Sequence, residues 1–166
     1  MAEWLIAASY HQYPIPAYRY KMPNDLWHNV PMENVAVSRS PLISSLHLDL
    51  QTVESGVPVA TMTSFVAASG LAMRDLYDIV IPARTLKHRR SRKEPLTADE
   101  SDKLARLIRI YDHAVRVLGD RDKALHWLNK PLRRFAARTP LHMLRTEFGA
   151  RMVEEMLGQI DYGMFA

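Results

Sequence analysis

From Pro58 onward, apolar residues recur at helical spacing, and glycine, proline or a capping side chain interrupts each run. Pro58 suits a first helical turn, where no N–H is needed. Val59, Met62, Phe65, Val66 and Ser69 follow at helical intervals, and Gly70 stops the run. A short helix is predicted over Met73 to Val80, with Leu76 and Ile79 on one side. Ile81-Pro82 breaks it, and Pro82 starts a third short helix running to about Arg90. Short helices with tight breaks suggest a helix-turn-helix unit. Thr97-Ala98-Asp99-Glu100 reads as a capping box, in which hydroxyl and carboxylate each satisfy one orphan N–H. It opens the longest helix, with Leu104, Leu107, Ile108, Tyr111, Val115 and Leu118 as its buried stripe and Gly119 as its end. Asp120 caps a further helix bearing Leu125, Trp127 and Leu128, which Pro131 ends. Thr139-Pro140 starts another, an N-cap followed by proline at the first turn. Thr146 opens the last. There Phe148, Met152, Val153, Met156, Leu157 and Ile160 are expected on one face, with Gly158 placed to close the helix in the left-handed conformation.

Residues 1–43 lack such periodicity. Five of the ten prolines lie there (Pro14, Pro16, Pro23, Pro31 and Pro41), which rules out one long helix. Trp4, Tyr10, Tyr13, Tyr18, Tyr20 and Trp27 argue against a solvated tail, since aromatics bury large areas. Leu42 to Val53 reads as a short helix or strand, with Leu46, Leu48 and Leu50 alternating. The expected fold is mainly α. An N-terminal segment (1–57), irregular and suited to dimerisation, precedes a helix-turn-helix module (58–96) and a small helical C-terminal domain (97–166).

Composition narrows the function classes. The 166 residues are 48% apolar and 24% charged, ordinary for a globular chain with a real core. No apolar run approaches the roughly 18 residues that span a bilayer. The apolar start, Met1 to Ala8, lacks the basic region of a signal peptide. The absence of cysteine excludes disulfides and thiol chemistry and suits a reducing cytoplasm. The seven histidines form no His-x-x-x-His pair, and His113 and His126 read as ordinary histidines, so no metal site is assigned. No nucleophile elbow, Walker loop or Gly-x-Gly-x-x-Gly occurs, and Glu154 and Glu155 read as solvated neighbours, so no catalytic residue is assigned.

Net charge is +4, unevenly spread. Residues 1–57 hold three basic and five acidic side chains, 58–96 hold seven and three, and 97–166 hold twelve and ten. The central excess comes from Arg84, Lys87, Arg89, Arg90, Arg92 and Lys93. On a helix from Pro82, Arg84, Lys87 and Arg90 share a face while Leu86 points to the core. Such spacing fits DNA, with arginine reading guanine and the other cations holding phosphates. A solvated charged surface is the alternative. The candidate DNA-binding set is Arg84, Thr85, Lys87, His88, Arg89, Arg90, Arg92 and Lys93. Arg133, Arg134, Arg138 and Arg145 form a second basic group, either ordinary surface or a match for an acidic partner.

Two stretches carry a family resemblance. Arg138-Thr139-Pro140-Leu141, the Thr-Glu-x-Gly-Ala-Arg step at Thr146 to Arg151, and the ending Leu157-Gly158-x-Ile160-x-Tyr162-Gly163-x-Phe165-Ala166 resemble the C-terminal domain of MbcA/ParS/Xre antitoxins. Ile81 to Arg90, with the run from Leu96 to Leu107, looks like the central region of the same family. The resemblance covers about residues 58–166. It implies a non-enzymatic protein that binds and blocks a RES-domain, NAD-consuming toxin and represses its own operon. NAD would be the toxin's substrate, so no cofactor is implied for this chain. It also implies Arg151, Tyr162, Gly163, Met164, Phe165 and Ala166 as toxin-binding residues, and the Pro82–Arg90 helix as the DNA reader. A homodimer or a higher assembly with toxin is expected, since a lone helix-turn-helix usually needs a two-fold mate. One departure stands out: Val80 lies where such turns often carry glycine, and a β-branched residue resists positive φ. Two alternatives stay open, a free-standing transcription regulator and an interaction module that has lost DNA binding.

Overall fold

The structure, a computed structural model, describes residues 48–163. The aromatic N-terminal segment, the expected dimerisation region up to residue 47, and Met164, Phe165 and Ala166 lie outside the described residues. Among the described residues the secondary structure is helical, with one isolated antiparallel bridge between Leu132 and Arg138.

The chain enters through α1 (Leu50–Ser55), capped by Asp49, whose carboxylate accepts the Thr52 N–H at 2.7 Å. Of the two forms predicted up to Val53, the helix is therefore the one adopted from Leu50 on. Gly56 ends α1 at φ 101°, with its Cα against the Leu96 carbonyl where no side chain fits. The next residue ties the loop to the start of the longest helix. The buried Val57 N–H donates to Ser101 Oγ at 2.9 Å, and its carbonyl accepts the Leu96 N–H at 2.9 Å.

Helices α2 (Val59–Ser69), α3 (Met73–Ile79) and α4 (Ala83–Arg92) follow close to their predicted bounds. Gly70 takes φ 77° and closes α2. The α3–α4 turn needs no such residue. Val80 sits in the right-handed region at φ −107°, ψ −59°, so its β-branch costs nothing, and Val80 and Ile81 are both buried.

Helix α5 (Ala98–Leu118) is the spine. Both halves of its capping box form: Glu100 N–H donates to Thr97 Oγ1 and Thr97 N–H to Glu100 Oε2. Helices α1 and α2 pack on it, and so do α6 (Arg121–Asn129) and α8 (Glu147–Asp161). Being covered from several sides, it buries more than one stripe. Ile110, which the heptad-like reading left out, is fully buried beside Leu104, Leu107 and Ala114. The predicted Val115 and Leu118 are only partly buried. Tyr111 joins the halves of the core. Its ring meets Phe65 edge-on at 5.6 Å, and its hydroxyl donates to the Ser69 carbonyl at 2.9 Å, satisfying the end of α2.

After α6, a tight loop contains a 3-10 turn (Arg133–Phe135) whose Phe135 plugs the core. The loop closes through the Leu132 N–H on the Arg138 carbonyl at 3.0 Å and holds Ala136 and Ala137 at φ 53° and 60°. Helix α7 (Pro140–Met143) is capped by Thr139 as predicted, and α8 by Thr146, whose hydroxyl accepts the Gly149 N–H at 3.0 Å.

Two expectations for α8 are corrected. Phe148 does not face the core; it is 75% exposed. The buried face is set by Gly149, Ala150, Val153 and Leu157, because α7 ends so close that a Cβ on Gly149 would strike the Met143 carbonyl. Nor does Gly158 close the helix. It lies inside α8, which runs on to Asp161, and Gly163 takes the left-handed conformation at φ 69°.

Candidate functional site

Helix α4 begins at Pro82 with no acidic residue in its first turn, and Leu86 is its buried anchor. That anchor turns Arg84, Lys87, His88 and Arg90 to solvent, with Thr85 at the margin. Helix α4 extends two residues beyond the predicted Arg90, so Ser91 and Arg92 are helical, and Lys93 closes it at φ 56°. Lys93 is exposed, and Arg92 lies 3.7 Å from Glu94. Among the described residues, no carboxylate pairs with Arg84, Lys87, Arg90 or Lys93. They form a basic surface free to meet an anion.

Arg89 is placed differently from the rest of the predicted set. Its guanidinium folds back on the start of α5, with Nε 2.9 Å and Nη2 3.3 Å from the two Glu100 oxygens and Nη1 3.2 Å from the Pro95 carbonyl. Nε lies in ion-pair range, although its N–H is not aimed at Glu100 well enough for a hydrogen bond. Only 18% of the side chain is exposed. Arg89 therefore fixes α4 against the α5 cap and leaves the outward face to its neighbours. The sequence signal was available: Glu100 is the carboxylate of a capping box, with a second oxygen to share.

The second candidate surface is α8. Its N-terminus is held on α5 by Arg106, which is nine-tenths buried, 2.9 Å from Glu147 and 2.7 Å from Asp102. Arg109 and Glu154 make a further α5–α8 pair at 2.8 Å, so Glu154, expected to be solvated, is a structural contact while Glu155 faces solvent. Arg151 is exposed and shares Glu147 at 3.4 Å. Tyr162 stands 83% exposed at the end of α8, and Gly163 turns beyond it. The structure thus presents Arg151 and Tyr162 outward from one helix. Of the second basic group, Arg134 donates to Gln159 Oε1 at 3.0 Å and Arg145 lies 3.3 Å from the His142 ring.

Helix-turn-helix and C-terminal regions each correspond to a known sequence family. Residues 49–109 match the antitoxin Xre-like helix-turn-helix domain, and residues 113–163 match the antitoxin Xre/MbcA/ParS C-terminal toxin-binding domain. A protein of Photorhabdus laumondii named antitoxin Xre is 36% identical over 85% of this chain and 90% of its own length. This chain belongs to the Xre/MbcA/ParS antitoxin family. A Pseudomonas putida antitoxin Xre is 51% identical over 52% of this chain, and a Yersinia enterocolitica antitoxin Xre 37% identical over 52%. Those alignments span 54% and 59% of the two relatives' lengths. The first family match takes in α1 and half of α5, in keeping with the Val57–Ser101 and Arg89–Glu100 ties that join α5 to the helices before it.

Among the described residues, no helix is long and apolar enough to cross a membrane, and no group of three or more His, Asp or Glu side chains could hold a metal ion. His113 is partly buried on α5. Burial first, and then the charge of Arg116, holds its imidazole below the usual range.

Proposed function

We propose that this chain is the antitoxin of a RES-domain toxin pair. In this reading it binds an NAD-consuming toxin through its C-terminal domain, occludes the active site, and represses its own operon through α4. The observation that carries the reading is the pairing, in one chain, of a free basic α4 face with a C-terminal unit matching a family described as toxin-binding. Operator DNA places its action in the cytoplasm. Inhibition by occlusion needs no catalytic group or cofactor from this chain. The α3–α4 turn adopts ordinary helical angles at Val80, which removes the motive for treating the module as one that has lost DNA binding.

Arg84, Lys87, Arg90 and Lys93 would meet DNA, with Thr85, His88 and Arg92 at the edge. Arg151 and the segment Tyr162 to Ala166 would meet toxin, the apolar end filling the NAD pocket. Co-expression with the RES-domain protein encoded beside it tests the first half: toxicity should be abolished. A chain lacking Gly163–Ala166 should still bind that protein but allow NAD consumption to return, whereas full inhibition by the truncated chain would remove the end from the active site. Mobility shifts on upstream DNA at two salt concentrations test the second half. Arg84→Ala with Lys87→Ala should weaken binding by about 1–3 kcal/mol for a lost base contact, or lower the salt slope by about one per lost phosphate contact. Unchanged affinity would remove α4 from the interface.

A further inference from the structure

We propose that the outward face of α8 is a second toxin-anchoring surface, distinct from the C-terminal tip, in which Phe148 seats in an apolar cup rimmed by carboxylates. The inference rests on the antitoxin reading above and names the chemistry of its partner surface.

Three large hydrophobic side chains stand exposed among the described residues, and two of them, Phe148 and Tyr162, belong to α8 and its cap. They lie 14 positions apart, close to four full turns, so they share a face and stand about 21 Å apart along the helix. A phenyl ring left 75% exposed at one end of a packed helix gains nothing from its own fold. A second observation points the same way. Gly158 lies in the helix interior, one turn before Tyr162, and a Cβ there would meet nothing within 4 Å. Glycine inside a helix weakens it relative to alanine. Gly149 has its reason in the Met143 carbonyl, but nothing in this chain requires Gly158. A partner backbone lying against that spot does.

Charge selects the partner. At the Phe148 end, Arg145 touches the His142 ring and no carboxylate among the described residues, while Arg151 is 71% exposed and shares a glutamate that Arg106 holds more closely. At the other end Arg134 reaches Gln159 on the same side of α8. Cations therefore flank the apolar positions, against a single outward carboxylate, Glu155. A second copy docking face to face would set cation against cation. A toxin with an apolar groove and acidic rims fits. This face is also continuous with the region matching the toxin-binding family.

The test is titration calorimetry of the full chain into the RES-domain protein encoded beside it, with melting curves and light scattering on every variant. Phe148→Ala should weaken binding about 30-fold or more at an unchanged melting temperature, the loss typical of a central aromatic anchor. Gly158→Ala should raise the melting temperature by about 2–4 °C and still weaken toxin binding, a combination that misfolding cannot produce. Wild-type affinity in both variants would overturn the inference and leave the antitoxin reading standing. Failure of the wild-type chain to bind would overturn both. If Phe148→Ala kept toxin affinity but shrank a larger species in light scattering, the occupant would be a second copy and the inference would fall.

Discussion

At the residue scale, charge alone does not decide what a cation does. Arg84 and Arg89 sit five positions apart on one helix; the first faces solvent and the second spans Glu100 and the Pro95 carbonyl. Removing Arg89 strips the α5 cap of its partner and leaves Glu100 underpaired. Arg89→Ala should cost about 1–3 kcal/mol of folding stability, the range for a lost charge-assisted hydrogen bond. Arg84→Ala should stay within about 0.5 kcal/mol, as surface changes do. Urea titration of both variants checks this; equal midpoints would show that the Arg89 contacts contribute nothing. Tyr111 makes a prediction about pH. Burial, more than any nearby charge, pushes its phenol up to about 12. The unfolded chain ionises near pH 10, so the folded state binds the proton more tightly. Stability from this group is full below about pH 10 and is lost as pH rises towards 12. Tyr111→Phe should flatten that alkaline fall and cost about 0.5–1.5 kcal/mol at neutral pH through the lost bond to Ser69. An unchanged alkaline slope in Tyr111→Phe would assign the fall to other groups.

At the element scale, most of the helical order was legible because local chemistry marks the ends. Asp120, Thr97, Thr139 and Thr146 cap the helices they were expected to open, and Gly70 and Gly119 close theirs in the left-handed region. These signals lie within four residues of the groups they satisfy, so one sequence suffices. What depends on contacts between distant segments was not legible. Phe148 looked like a core residue because apolar side chains cover half the circumference of α8. Which half is buried was decided by the approach of α7 at Gly149, and Phe148 lies about 140–180° away from Val153 and Leu157. The inward turn of Arg89 depends in the same way on where α5 starts. Of the candidate surfaces, the outward set on α4 was readable from Leu86 and its spacing, whereas the α8 face was not. Gly149 tests this directly. A methyl group there would strike the Met143 carbonyl, which is backbone and has little room to yield. Gly149→Ala should destabilise by about 1–3 kcal/mol despite its better helix propensity, as overpacking does. Thermal melts decide it, and a stabilised variant would mean that α7 and α8 stand further apart than described.

At the scale of the whole described unit, α5 is shared by everything. It bears α1 and α2 as well as α6 and α8, and its two cation ties, Arg89–Glu100 and Arg106–Glu147, hold the DNA-facing and toxin-facing helices to one rod. Ile110 and Tyr111 are buried near its middle, so neither half of the core is complete without it. Two regions matching separate families should therefore unfold as one. Native-state hydrogen exchange on the full chain measures this residue by residue. The amides of Phe65 in α2 and Val153 in α8 should exchange with the same opening free energy. Arg106→Ala removes the buried guanidinium between Asp102 and Glu147. Both carboxylates are more than half exposed, at 64% and 52%, so solvent relieves them and the loss should be moderate, about 1–2 kcal/mol. A shared rod requires that loss to appear equally at Phe65 and at Val153, although Arg106 pairs with α8 and not with α2. A loss confined to Val153 would show that the C-terminal helices open on their own. In that case toxin could be released without disturbing α4, and the two binding surfaces would be independent.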